Sequence, residues 1–273
     1  MFDTSNLYVT SGGHPPQSDL TRSPASFTTA FALIPKGVIR DIVTSSLPFW
    51  SDYKCWILAR PMSGFSETFS YYLVDLQPEG GSENPETEAG VESVVFVTSG
   101  QLDIEIDGRS HVLHTGGYVY LPPSVPWRIR NSSGSNSQFH WIRKKYQEVP
   151  GVELPKPVVT SIGEVSPQSM PGTDGRWTTH RFVDPADISH DMHVNIVSFE
   201  PGASIPFPET HVMEHGLFIL EGKGLYLLND EWIEVEAGDF LWLRAFCPQA
   251  CYAGGNSPFR YLLYKDVNRH ASF

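Results

Sequence analysis

Apolar residues along the chain fall into short runs that end in Gly, Pro, Asn or Asp. In the first half these are FSYYLVDL, ESVVFVTSG, LDIEIDG, YVYLPP, WRIRNSSG and SQFHWIRKK. In the second they are MHVNIVSFEPG, GLFILEGKG, LYLLND, EWIEVEAGD, FLWLRAF and RYLLYKD. Some alternate apolar with polar residues and others are apolar throughout. Aromatic and β-branched residues are frequent in them, and turn residues recur at short, regular intervals. That pattern predicts strands of antiparallel sandwiches or barrels. Helical periodicity is scarce, so the expected fold class is all-β.

The two halves repeat one another. A shift of 122 residues lays Gly100 on Gly222, Gly116 on Gly238, Phe96 on Phe218, Leu121 on Leu243 and Pro126 on Pro248. A repeat of this length is a duplicated domain rather than a solenoid. The division expected is an N-terminal segment at 1–50, a first domain at 51–145, a linker rich in Pro, Gly and Ser at 146–175, and a second domain at 176–273.

Composition narrows the function classes. The chain has 273 residues, 40% of them apolar, which is enough for a sizeable core. Its net charge of −12 and pI near 5.2 set it against phosphate backbones, so no nucleic acid partner is expected. The one basic cluster, Arg143 to Lys145, reads as a solvated strand end. Three cysteines, Cys55, Cys247 and Cys251, make no disulfide framework and read as small buried residues. The N-terminus lacks the pattern of a signal peptide, and no run is long enough to span a bilayer. The expectation is a soluble cytoplasmic protein with no membrane partner.

One stretch carries metal-ligand chemistry. Glu209, His211 and His215 lie at odd positions just before an aliphatic run and a Gly-rich turn. In one strand they would share a face, continued by Leu217 and Ile219. Three ionisable groups facing a barrel interior are costly unless paired, and a divalent cation pairs them. The plainer alternative leaves Glu209 and His211 exposed on a loop with only His215 inside. The repeat supplies a control: the first-half counterparts are Thr87, Ala89 and Ser93, none a strong ligand. His190 and His193, like His111, His114 and His140, read as structural or surface residues.

These residues resemble the paired cupin motifs, G-x5-H-x-H-x3-E-x6-G and G-x5-P-x-G-x2-H-x3-N. Here the first reads E-x-H-x3-H-x6-G from Glu209 to Gly222, with the first His and the Glu exchanged. In the second, counted from Gly238, the His position holds Gln249. The first half keeps only the skeleton of Gly116 and Pro122, with Trp127 at the ligand position. The chain is therefore similar to a bicupin, two tandem jelly-roll-like antiparallel barrels, with a metal site in the second alone. The exchanged ligand order with Gln249, and the segments YLLNDEWIEVEAGD and YLLYKDVNR, resemble the (S)-ureidoglycine aminohydrolases of purine (allantoin) catabolism.

That resemblance implies a small-molecule hydrolase, and its roles are carried over position by position. Glu209, His211, His215 and Gln249 would bind a metal, usually Mn2+ with other divalent ions as alternatives. Tyr226, Tyr261 and Lys265 would contact the substrate, as would the metal ligand Glu209, with Glu209, Tyr226 and Lys265 the catalytic candidates. It implies conversion of (S)-ureidoglycine and water to (S)-ureidoglycolate and ammonia, by a homo-oligomer. A mixed set of one carboxylate, two imidazoles and one amide suits Mn(II) and its neighbours. The rival readings are an Fe(II) cupin dioxygenase or isomerase acting on a small carboxylate, and a non-enzymatic bicupin binding protein.

Overall fold

The computed structural model describes residues 25–39, 45–62, 64–266 and 269. Among these there is no helix; 20 strands form sheets of nine, eight and three strands, every pairing antiparallel.

The first barrel is one sheet curled on itself. Its long strand Phe69–Ser82 pairs along most of its length with Ser137–Lys145, while its far end pairs with Trp127–Arg130. The second barrel divides the same plan between two sheets. Its wide sheet carries Met192–Phe199, Phe259–Asp266, His215–Glu221 and Phe240–Leu243 side by side. Its narrow sheet is Glu231–Glu236, Lys223–Leu228 and Gln249–Gly254. Registers match between the halves: Ser93 pairs with Leu121 as His215 pairs with Leu243, and Ile106 with Trp127 as Leu228 with Gln249.

Each barrel has its own apolar interior. Leu217, Ile219, Tyr226 and Tyr261 lie in the second, and Trp127, Trp141 and Phe139 in the first. A third apolar layer joins the barrels, where Phe69 stacks on Tyr264 at 4.0 Å and Tyr71 meets Phe240 edge-on at 5.1 Å. The wide sheets are thus covered on both faces. That is why the centre of Val91–Ser99 reads as a continuous apolar run rather than an alternating one.

The connecting segments also build sheet. Phe31–Ile34, from the N-terminal segment, pairs with Phe240–Leu243 of the second barrel. Val158–Ser161, from the stretch expected as a linker, pairs with Gly117–Leu121 of the first. Each segment that precedes a barrel thus edges the sheet of the other barrel.

The solvated basic strand end expected at Arg143 to Lys145 is corrected for Arg143 and Lys144 and holds for Lys145. Lys144 is 5% exposed and ion-paired with Asp191, which also receives Arg269 at 2.6 Å. Arg143 is bound through Nε to Glu86 at 2.6 Å and lies over the Trp141 ring. Lys144 is buried where the barrels meet and Arg143 is half-buried inside the first barrel, each with the partners that a buried cation needs, while Lys145 is exposed. The three cysteines are buried and free, as expected.

Candidate metal and substrate site

The strand carrying His215 begins at that residue, so Glu209 and His211 are not on it. This corrects the single-strand reading: shared parity does not bring the three together. Residues from Pro201 to Glu214 form an irregular arm alongside the strand Gln249–Gly254, held by bridges Ser204 to Tyr252 and Glu209 to Gln249. The Glu209 and Gln249 backbones exchange two hydrogen bonds of 2.9 Å. The arm, rather than strand periodicity, lays Glu209 beside Gln249.

The side chains close this contact. Glu209 Oε1 lies 3.1 Å from His211 Nε2 and accepts from Gln249 Nε2 at 3.4 Å. The His211 and His215 rings stand 5.1 Å apart. Glu209 and His211 are partly exposed, whereas His215 and Gln249 are each 4% exposed. Tyr226 donates its hydroxyl to Gln249 Oε1 at 3.0 Å, and its ring meets Tyr261 edge-on at 6.1 Å. Lys265 pairs in register with His215 on the adjacent strand. The four ligand candidates and the three substrate candidates therefore share one barrel interior.

Burial is the main electrostatic influence here. It pushes the Tyr226 and Tyr261 phenols well above their ordinary value. It lowers Lys265, with Arg181 adding to the effect. It also draws His215 down to about 3, with His211 and Lys265 contributing in the same direction.

The donor set fits a divalent cation in chemistry. His215 Nε2 is buried without a hydrogen-bond partner, an arrangement that costs free energy unless something binds there. A half-turn of the Gln249 amide would present its oxygen toward Glu209 while Tyr226 took the nitrogen. Among the described residues, no three His, Cys, Asp or Glu side chains already stand as a closed metal cluster. Glu209, His211 and Gln249 are instead drawn onto one another by hydrogen bonds.

The corresponding space in the first barrel is filled by indoles. Trp127 holds the register place of Gln249 and packs edge-on against Trp141 at 5.9 Å. Trp141 Nε1 donates to Ser93 Oγ, at the place of His215, over 3.1 Å.

From sequence, His190 and His193 read as structural or surface residues. His190 is structural, buried against the Tyr120 ring at 4.7 Å. His193 is not at the surface: it pairs with Lys265 and lines a cleft of about 140 Å³ with that residue and Met213. Asn195, passed over in the sequence, is 4% exposed two residues further along the same strand. The signal for both is the alternation of MHVNIVSF, which places them on one face. Reading that face as the interior needs the register with Lys265.

Comparison with known proteins agrees with this architecture. The family model described as Cupin domain matches residues 72–143 and again 195–264. The (S)-ureidoglycine aminohydrolase of Escherichia coli K12 is 34% identical over 241 residues, covering 88% of this chain and 89% of that protein. The Arabidopsis thaliana protein of the same name is 31% identical over 229 residues, covering 84% and 74%. A crystal structure of a Pseudomonas aeruginosa protein named as glyoxylate-induced superimposes with a TM-score of 0.89 at 57% identity, covering 97% of this chain and 98% of that one. The chain belongs to the (S)-ureidoglycine aminohydrolase family of two-domain cupins.

Proposed function

We propose that this protein hydrolyses (S)-ureidoglycine to (S)-ureidoglycolate and ammonia, in purine catabolism, using the second barrel alone. The observation that carries the reading is the gathering of Glu209, His211, His215 and Gln249 with Tyr226, Tyr261 and Lys265 in one barrel interior. Family membership supplies the reaction. The indole-filled first barrel supports a structural role for that half.

Glu209, His211, His215 and Gln249 would hold the metal, with Mn2+ the first choice for this mixed donor set. When bound, such an ion orients chelating groups and polarises oxygen. The remaining work falls to the chain. Lys265 and Tyr261 lie on one strand face and anchor the substrate carboxylate, fixing which face of the reacting carbon meets water. Tyr226 holds the Gln249 amide in place, donating to Oε1 as the chain stands and accepting from Nε2 when that oxygen turns to the metal. Glu209 is left as the group that handles protons on the departing amine and the incoming water. Lys265, through its charge, is the third catalytic candidate. Homo-oligomeric assembly and a cytoplasmic location complete the reading.

The test is ammonia release from ureidoglycine made in situ from allantoate, with chiral analysis of the product, with and without added Mn2+. The expected result is metal-dependent release giving only the S product. Release at the uncatalysed rate with racemic product, from metal-loaded protein, would return the function to the oxygenase or binding alternatives. Replacement of His211 by Ala is expected to remove bound metal and activity together. Full turnover by a metal-free His211→Ala protein would overturn the site.

A further inference from the structure

His215, Lys265 and His193 form one row across three neighbouring strands, each paired in register with the next. Two residues deeper, the row is Leu217, Leu263 and Asn195. Side chains in both rows leave the same face of the sheet, toward the barrel interior. Neighbouring strands lie about 4.8 Å apart, so His193 and Asn195 stand about 10 Å across the floor from the His215 strand.

Both residues are unsatisfied. His193 is 7% exposed and its Nε2 has no hydrogen-bond partner; Asn195 is 4% exposed and its Oδ1 has none. Buried polar atoms without partners are rare and costly, which points to a ligand.

The first barrel shows the same positions with partners. Arg143 holds the place of Lys265, paired there with Ser70 and Ser93 as Lys265 is with His193 and His215. Tyr72 holds the place of Asn195, opposite Trp141 as Asn195 is opposite Leu263. There Arg143 donates to Tyr72 at 3.0 Å and to Glu86 at 2.6 Å. The open set is confined to the barrel with the candidate site.

We propose that His193 and Asn195 are specificity-determining residues that receive the ureido end of the substrate. The inference rests on the reaction proposed above, which assigns the carboxylate to Lys265 and Tyr261. A ureido group offers one carbonyl oxygen and three N–H donors. The Asn195 carboxamide matches it, with Oδ1 accepting an N–H and Nδ2 donating to the carbonyl. His193 Nε2 meets a second polar atom of the group. Burial, with Lys265 beside it, draws the His193 imidazole down to about 4, so it is uncharged at neutral pH and suits an uncharged ligand group. His193 also lines the open cleft with Lys265, giving the substrate access to both.

The test is calorimetric titration of Mn2+-loaded protein with (S)-ureidoglycolate and with glycolate, the same hydroxy acid without the ureido group. Wild-type protein is expected to prefer ureidoglycolate by at least about tenfold. Asn195→Leu and His193→Phe are each expected to cut that preference about tenfold, with glycolate affinity, bound metal and melting temperature held. If either variant fails to fold, Asn195→Asp, which keeps the shape and removes the donor, is expected to show the same loss. A wild-type preference that survives in the folded variants overturns this inference and leaves the reaction standing. Absence of any preference in the wild type overturns the reaction, and this inference with it.

Discussion

His140 shows how a single side chain can carry pH dependence for the fold. It is 1% exposed between the barrels, 5.5 Å from the Tyr71 ring and 4.4 Å from that of Phe218, and neither imidazole nitrogen has a hydrogen-bond partner. Burial lowers its pKa from 6.5 to about 3. The unfolded chain binds a proton near 6.5 and the folded protein only near 3, so between these values acid favours unfolding. The stability is whole above about pH 6.5 and is lost as pH falls toward 3. Its register counterpart in the second barrel is Leu262, opposite Ile196 as His140 is opposite Leu73. His140→Leu is therefore expected to raise stability at pH 7 by about 1–3 kcal/mol, by removing unpaired polar atoms. At pH 5 the gap should widen by a further 2 kcal/mol or so. Urea midpoints at the two pH values check this, and a gap that stays constant would contradict it.

Strands were legible because their determinants are local. Alternation, aromatic content and turn residues lie within each run, and the repeat fixed the register of one half against the other. Contacts set by distant pairing were not legible. The arm that carries Glu209 to Gln249 has no periodicity to mark it. The Lys36 N–H donates to Asp239 Oδ1 at 2.9 Å across 203 residues, beside the strand that Phe31–Ile34 adds to the second barrel. The interior place of His193 is not legible in sequence because its face is defined by pairing with Lys265 on another strand. Where the determinant is local, a prediction is sharp. Gly222 turns the chain from His215–Glu221 into Lys223–Leu228 at φ +74°, and a Cβ there would stand 2.2 Å from the Pro258 carbonyl oxygen. Backbone cannot swing aside as a side chain can. Gly222→Ala is expected to cost about 2–4 kcal/mol. Gly254→Ala, whose Cβ would meet nothing closer than 3.7 Å, should cost about 1 kcal/mol or less. Comparable losses in thermal melts of the two variants would contradict the steric argument.

The first barrel, though filled with indoles, holds the second barrel's site in place. Glu214, immediately before His215, is 5% exposed. Its carboxylate accepts the Glu67 and Thr68 backbone N–H groups of the first half at 2.7 and 2.9 Å, together with the Thr68 hydroxyl and the Trp242 indole. Its own N–H donates to Asp266 Oδ1 at 2.6 Å, next to Lys265. Beside it Gly216 leaves room for Phe69, whose ring would lie 2.6 Å from any Cβ there. Through these contacts one barrel sets the start of the strand that carries His215. Glu214→Gln keeps the shape but turns an amide NH2 toward N–H donors that need an acceptor. It should cost about 2 kcal/mol of stability, within the range for hydrogen bonds to a charged group. Loosening His215 should also weaken metal affinity about tenfold, the lower end of what outer supports of metal ligands contribute. Chelator competition on folded Glu214→Gln measures the second effect separately from the first. An unchanged metal affinity with lowered stability would confine the first barrel to folding, whereas loss of both would show that it also positions the ligands.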